Sequence, residues 1–437
     1  MGHLVGKDIF RELGRKIDGM ETRAPWNDTL HAILKELYSE QEADLVVKMP
    51  YGLSTFAELE QATVIERAVL RKLLDGLTAK GLVVDLQLHD EFHYAPSPLV
   101  VGIFEFTMMR LGPNVKTKEM AKLFHEYMEG NDSFLGANFG QGEQISIFRA
   151  LPHEEVLSGS DYFEVLDYEK VSTLLADNDR FSIGLCSCRH EKLHLGEKTC
   201  DVPLEKCSQF GYAADFMIRH NLSREVSHSE MADNFARSRE MGLVLGADNV
   251  RKNVKFVCHC CKCCCGPLLG ISKFGYPNAI VTSNYISEIV DAPCIGCGKC
   301  AKACPINAIS MSAAANPEKN RKQDAQVDTS ICIGCGVCAL KCPTKACILV
   351  KREQRVIHPE TTFERLMLQC LEKGTLQNQI FANPKSISEK FLSAFIGGFL
   401  RLTPVKKALM SDTLRSRFLT AMKQGVARQG KGWLTDV

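Results

Sequence analysis

No cysteine precedes Cys186, although the 437-residue chain carries 20 of them. Strong net charge is lacking too. The formal charge is +1, so no global field draws the protein to nucleic acid or to an anionic membrane. The longest apolar run, Phe391 to Leu400, falls well short of the roughly 20 residues that span a bilayer. Met1 to Met20 is amphipathic and charged, without the continuous apolar stretch of a secretory signal. Gly2 follows Met1, but Gly6 stands where myristoylation requires Ser or Thr. Neither G-x-G-x-x-G nor a P-loop occurs, and Gly140-Gln141-Gly142 is a loop signal only. These absences leave flavin and nicotinamide binding unsupported, and the expected location is the cytoplasm.

Sulfur is what the chain has in excess. Its apolar and charged fractions, 45% and 24%, are ordinary for soluble globular protein. The length calls for several cores, roughly two to four domains. A chain of this size does not need disulfide staples, so its thiols are expected to be reduced and free to bind metal. The reading is a multidomain α+β protein. It comprises a helical, winged-helix-like front (1–115), a Cys-rich α/β domain (116–290), a ferredoxin-like module (291–350) and a helical tail (351–437).

In the front, Leu30, Ile33, Leu34 and Leu37 recur at helical spacing. Thr55 with Glu58, and Thr63 with Glu66, have the spacing of capping boxes that open two short helices. The second is expected to bury Ile65, Val69, Leu70, Leu73 and Leu77 and to end at Gly81. Leu82 to Tyr94 then alternates as a two-stranded wing around a His-Asp-Glu turn and stops at Pro96. Over residues 28–98 this order resembles a winged helix-turn-helix domain. The resemblance implies either DNA binding through Arg67, Arg71 and Lys72 or a docking role. Glu60, Glu66 and Asp75 dilute the positive charge, so DNA is the less favoured partner.

Farther on, Thr117–Glu129, Tyr168–Ala176 and Phe210–Arg219 read as helices, and Ile145–Arg149 as a strand. Ser227 and Glu230 open a helix that Gly242 closes. Phe181–Leu185 and Val254–Val257 read as strands, and each runs directly into a cysteine, Cys186 and Cys258.

Cys294, Cys297, Cys300 and Cys304 follow C-x2-C-x2-C-x3-C, with Pro305 next. Cys332, Cys335, Cys338 and Cys342 repeat that spacing, with Pro343 next. Three thiolates on one tight loop reach three corners of an iron–sulfur cube, whereas zinc sites use paired C-x2-C knuckles. The segment resembles the two-cluster bacterial ferredoxins in every ligand position. That resemblance implies two 4Fe-4S clusters, each completed by a thiolate from the other repeat. It assigns Cys294, Cys297, Cys300 and Cys342 to one cluster and Cys332, Cys335, Cys338 and Cys304 to the other. Gly296, Gly298, Gly334 and Gly336 leave room where the loops wrap inorganic sulfide. Cys347 is surplus and is expected to be buried near the second cluster; Cys370 reads as a core residue.

Ten more cysteines lie upstream: Cys186, Cys188, Cys200 and Cys207, then Cys258, Cys260, Cys261, Cys263, Cys264 and Cys265. Crowded thiols repel as thiolates and oxidise readily unless a metal takes them up. If the two preceding strands are parallel neighbours, both Cys-rich loops leave one edge of a sheet. They are then expected to converge on one additional metal site of iron–sulfur type, where ten thiols suffice for two further cubanes or one unusual cluster. The alternative is zinc held by Cys186, Cys188, Cys200 and Cys207. Arg189, His190, His194 and His259 lie nearby and are the active-site candidates, although catalytic residues are not assigned. The whole resembles ferredoxin-containing reductases of anaerobes, which implies anaerobic metabolism but names no substrate.

The tail reads as helices. Thr403 is expected to cap one that has Pro404 at its first position. Phe391, Leu392, Phe395, Phe399 and Leu400 form an apolar face, and Arg415, Arg417, Lys423, Arg428 and Lys431 make the end basic. Packing on the body or on a partner is the first reading, and peripheral membrane contact the second. The leading function is an iron–sulfur electron-transfer protein, an oxidoreductase or its electron-transfer subunit, serving a redox partner protein. The alternatives are a redox- or metal-responsive DNA-binding regulator and a cluster carrier.

Overall fold

The computed structural model describes residues 8–88, 90–111, 116–157, 166–314, 321–380 and 387–436. Two units divide the chain. One gathers the described residues of Met1–Ile145, Arg219–Leu222 and Thr361–Val437, the other those of Ser146–Ile218 and Ser223–Glu360. Front and tail thus share a unit, as do the central cysteines and the double-cysteine repeat. The turn residue His89 and the start of the chain, Met1–Lys7, lie outside the described residues.

The first unit begins with α1 (Ile9–Asp18), α2 (Asp28–Leu37) and α3 (Glu40–Lys48). Leu30, Ile33, Leu34 and Leu37 are all buried on α2. Next come β1 (Ser54–Thr55), α4 (Phe56–Thr63), α5 (Arg67–Ala79), β2 (Val83–Leu88) and β3 (Glu91–Pro96), with the antiparallel sheet order β1-β3-β2. The Thr55–Glu58 capping box is formed, and so is one at Ser39–Glu42 that opens α3. Thr63 caps nothing: its hydroxyl donates to the Leu59 carbonyl, and Glu66 itself caps α5 through the amides of Ala68 and Val69. Starting α5 later turns its buried face. Leu70, Leu74 and Leu77 are buried, whereas Val69 is 46% exposed.

The tail contributes Thr362–Lys373, whose Phe363, Met367, Leu368, Cys370 and Leu371 form a core with Ile145, Leu376, Leu400 and Leu419. Thr403 is the first residue of its helix rather than the cap, which falls at Leu402 without a side-chain bond. Phe395 and Phe399 are exposed. The side chains of Phe391 and Leu392 lie outside the described residues. No described helix is long and apolar enough to cross a membrane.

The second unit centres on a six-stranded sheet. Its strands are β4 (Phe148–Leu151), β5 (Phe181–Leu185), β6 (Glu205–Phe210), β7 (Ser223–Glu225), β8 (Val244–Asp248) and β9 (Phe256–Cys260), in the order β4-β8-β9-β6-β5-β7. Every pairing is antiparallel, unlike the parallel arrangement expected of an α/β domain. β5 and β9 are not neighbours, because β6 lies between them. Since both pair antiparallel with β6, they still run the same way and end at the same edge. One face carries the core: Phe181, Ile183, Phe210, Leu245, Ala247 and Val257, covered by Met231 and Phe235 of the helix His228–Met241. Ser227 and Gly242 cap that helix, Gly242 in the left-handed region. β-strand alternation sends every second residue to the other face.

The cysteine repeat follows as β10 (Tyr285–Ile289), β11 (Ile309–Ala313), β12 (Gln323–Val327) and β13 (Cys347–Lys351), with short helices Lys299–Ala303 and Val337–Leu340 packed on one another. β10 pairs with β13 and β11 with β12, so each repeat supplies half of each hairpin-like pair.

The turned face of α5 is open to test. Leu74→Ala should cost about 2–5 kcal/mol, while Val69→Ala should stay within about 0.5 kcal/mol. Urea unfolding followed by circular dichroism measures both, and equal costs would contradict this orientation.

Candidate metal centre

In the double repeat, each run of three cysteines forms a loop that ends in a short helix. Gly298 and Gly336 cap those helices in the left-handed region. Two other glycines are demanded by close approach. At Gly334 (φ +66°) a Cβ would lie 2.2 Å from the Tyr285 carbonyl oxygen, and at Gly296 (φ +63°) 2.2 Å from that of Gln323. The glycines therefore let the loops press onto β10 and β12, a packing role beyond the space for sulfide that the sequence suggested.

Cys304, Cys332, Cys335 and Cys338 line one pocket together with Ile306, Ile309, Ile333 and Leu349. Three thiols come from one loop and Cys304 from the other. Burial raises the pKa of Cys304, Cys332 and Cys335. The donor set and the apolar walls fit a 4Fe-4S cluster. Cys294, Cys297 and Cys300 lie on the partner loop, with Cys297 exposed. Cys342 accepts the Cys347 amide at 3.4 Å. Cys347 is buried, and its Sγ lies 3.2 Å from the Ser287 hydroxyl, which itself contacts Cys338 at 3.3 Å.

The upstream cysteines separate into two groups. Register places Gly184 opposite Cys207 and Gly246 opposite Cys258, and the Cys207 thiol raises the pKa of Cys258. Two glycines thus flank two cysteines and keep the sheet face bare beside the sulfurs. Cys260, two residues along β9, shares that face. The thiols of Cys258 and Cys265 act electrostatically on that of Cys260, and the thiol of Cys188 on that of Cys186. Fields from Cys260 on Cys186, and from Cys188 on Cys265, close the group. The neighbouring thiols of Cys258 and Cys265 hold Cys260 well below the usual thiol range; Cys207 and then Cys260 raise Cys258, and Cys260 raises Cys265.

The second group is Cys200, Cys261, Cys263 and Cys264, whose four sulfurs all lie within 4.8 Å of one another. A tight turn supplies three of them, closed by the Cys265 amide on the Cys261 carbonyl at 3.3 Å. The set Cys186, Cys188, Cys200 and Cys207 is therefore not gathered at one point; Cys200 sits with the later loop.

Arg189 lies between the groups and is fully buried. Its Nε donates to Cys261 Sγ at 3.3 Å, its Nη2 donates to the His259 carbonyl, and its Nη1 is buried without a hydrogen-bond partner among the described residues. Burial would lower its pKa, but the thiolates of Cys186, Cys261 and Cys260 outweigh that and raise it. A buried guanidinium needs matching negative charge, and the neighbouring sulfurs supply it.

The histidines do not join this arrangement as a set. His259 points to the core face, with Nε2 2.9 Å from the Ser208 hydroxyl, and burial drives its pKa well below the usual value. His190 and His194 pair with one another at 3.0 Å. Sequence reasoning missed Lys262, which sits between Cys261 and Cys263. Its Nζ donates to the Cys304 carbonyl at 3.1 Å and to Asn307 at 2.7 Å, tying the crowded loop to the ferredoxin-like repeat. Its place within the cysteine run was the only signal.

This geometry defines an iron–sulfur module of ferredoxin type beside a cysteine-rich sheet edge. Residues 293–346 match the family model described as a 4Fe-4S dicluster domain. No curated protein and no solved structure matches the chain.

The packing role of Gly334 predicts a specific failure. Gly334→Ala should destabilise the module by about 1–3 kcal/mol and lower its bound iron. Gly398→Ala, which meets nothing within 4 Å, should do neither. Thermal unfolding with iron analysis checks the pair.

Proposed function

We propose that the protein transfers single electrons between a partner protein and a central cysteine-ligated centre, as an iron–sulfur oxidoreductase or its electron-transfer subunit. The observation that carries this reading is the Lys262 link, which joins the cysteine-rich loop to the backbone of Cys304. Two 4Fe-4S clusters occupy the repeat in this reading. Cys304, Cys332, Cys335 and Cys338 hold one, and Cys294, Cys297, Cys300 and Cys342 the other. The shared cavity of the first four supports that division. Cys186, Cys188, Cys207, Cys258, Cys260 and Cys265 hold a further iron–sulfur cluster, whose charge Arg189 offsets. A cluster of this kind moves electrons without bond making, so the chain's own part is to hold it, shield it and set its potential.

A winged-helix-like assembly of α3 to β3 serves docking in this scheme. The regulator reading is weakened by what its basic residues already do. Arg71 stacks on Phe56 at 4.1 Å and bonds the Tyr94 hydroxyl at 3.2 Å, and Arg67 pairs with Glu60 at 2.9 Å. Exposed Phe395, Phe399 and Leu402 give the tail a face for a partner or a membrane surface. Lys423 and Lys431 are already paired with Glu364 and Glu58.

Anaerobic iron and sulfide analysis tests the scheme. Roughly twelve irons per chain are expected, and about eight would confine iron to the repeat. Cys188→Ala should remove the excess iron and leave the ferredoxin-like signal of the reduced protein. Gly246→Val should do the same without touching a thiol, because a side chain there grows toward Cys260 Sγ, 3.7 Å from the first added carbon. Salt-dependent binding to duplex DNA would instead favour the regulator.

A further inference from the structure

The four-thiol group differs in scale from the cluster sites. Sulfur–sulfur distances are 3.6 Å for Cys200 to Cys261, 3.9 Å for Cys261 to Cys263 and 3.4 Å for Cys263 to Cys264. Four thiolates around one ion with metal–sulfur bonds of about 2.3 Å form a tetrahedron with edges of about 3.8 Å. The distances cluster around that edge. A cubane, by contrast, sets its thiolates on the outer corners of a cube and keeps them well beyond contact with one another.

We infer that Cys200, Cys261, Cys263 and Cys264 bind one tetrahedral thiophilic divalent ion, zinc or ferrous iron, and no cluster. The donor arrangement suits a closed site. Three ligands come from one turn and the fourth from a separate loop, so no position is left for a substrate. Cys261 and Cys264 are buried, and Val202 and Leu243 pack against them, which shields the ion from water. Four thiolates around a divalent ion leave two net negative charges. Arg189 donates to Cys261 Sγ at 3.3 Å, and Lys198 donates to the Cys200 carbonyl, so cations stand where that charge falls. The hydrogen bond from Arg189 is the outer contact that orients a ligating sulfur. The site is also next to the ferredoxin-like repeat, since Lys262 lies inside the same turn. Bound ferrous iron makes the site a relay, and bound zinc makes it a brace.

This inference does not rest on the electron-transfer scheme, and its test is separable from it. The probe is cobalt(II) added to metal-free full-length protein under anaerobic conditions. One equivalent should give the intense thiolate charge-transfer and ligand-field bands of a tetrahedral four-sulfur site. Cys264→Ser and Cys200→Ser should each weaken or shift those bands, while Cys258→Ser should not. In protein purified anaerobically, the same two variants should lose one zinc or one iron per chain with no loss of acid-labile sulfide. X-ray absorption at the zinc edge, or at the iron edge once the clusters are accounted for, then tells which ion is native. Loss of sulfide together with iron would overturn the single-ion site in favour of a cluster. Unchanged cobalt spectra in both variants would overturn it outright. If a variant does not fold, the wild-type spectrum still decides, because a six-coordinate or oxygen-rich cobalt signature is incompatible with four thiolates. Loss of the central cluster in Cys188→Ala, with the cobalt site intact, would leave this inference standing alone.

Discussion

The arrangement of the second unit depends on one strand. β6 separates β5 from β9 and pairs antiparallel with both, which forces its two neighbours to run in the same direction. Each of them carries or precedes cysteines at its far end, so both cysteine loops are delivered to one edge. Strand alternation then divides the residues of β9. Val257 and His259 go to the core, and Cys258 and Cys260 to the opposite face. A one-residue slip of β9 would bury the sulfurs in the apolar core and expose the histidine. The place of Val257 in the apolar core with Phe181, Ile183 and Leu245 therefore holds the thiols in register as much as it holds the sheet together.

Charge is the second constraint. Ten thiols and one buried guanidinium share a small volume, and each makes the other tolerable. Arg189 favours thiolates at Cys186, Cys260 and Cys261, and those thiolates keep Arg189 charged despite complete burial. Removing either side leaves the other uncompensated in a medium that penalises bare charge. The same balance accounts for the burial of Arg189, an active-site candidate by sequence. It bonds sulfur and backbone and presents no face to solvent.

Much of this was legible in the sequence. The two C-x2-C-x2-C-x3-C runs stand out because their spacing is the local requirement of the chemistry. The helix Thr117–Glu129 and the strand Phe181–Leu185 were read with the limits they have in the structure. The division of the upstream cysteines was not legible. Cys200 sits close in sequence to Cys207 but far from Cys261, and only the path of the chain between β5 and β6 brings it to the later loop. β6 and β8 escaped notice because Lys206, Cys207 and Gly246 interrupt the apolar patterns that mark strands, and β7 because Ser223, Arg224 and Glu225 are all polar. The Thr63–Glu66 spacing misled for a different reason. A hydroxyl near a helix end has two backbone partners to choose from, and Thr63 chose the carbonyl behind it.

The bond from Lys262 to the Cys304 carbonyl has a bearing on maturation. It is made only when the crowded turn and the first ferredoxin-like loop are both folded, so ordering either one reduces the entropy still to be lost by the other. Should both places take metal, as proposed above, binding at one favours binding at the other, and the coupling is equal in both directions. On that proposal the chain fills as a unit, and partly loaded chains are scarce.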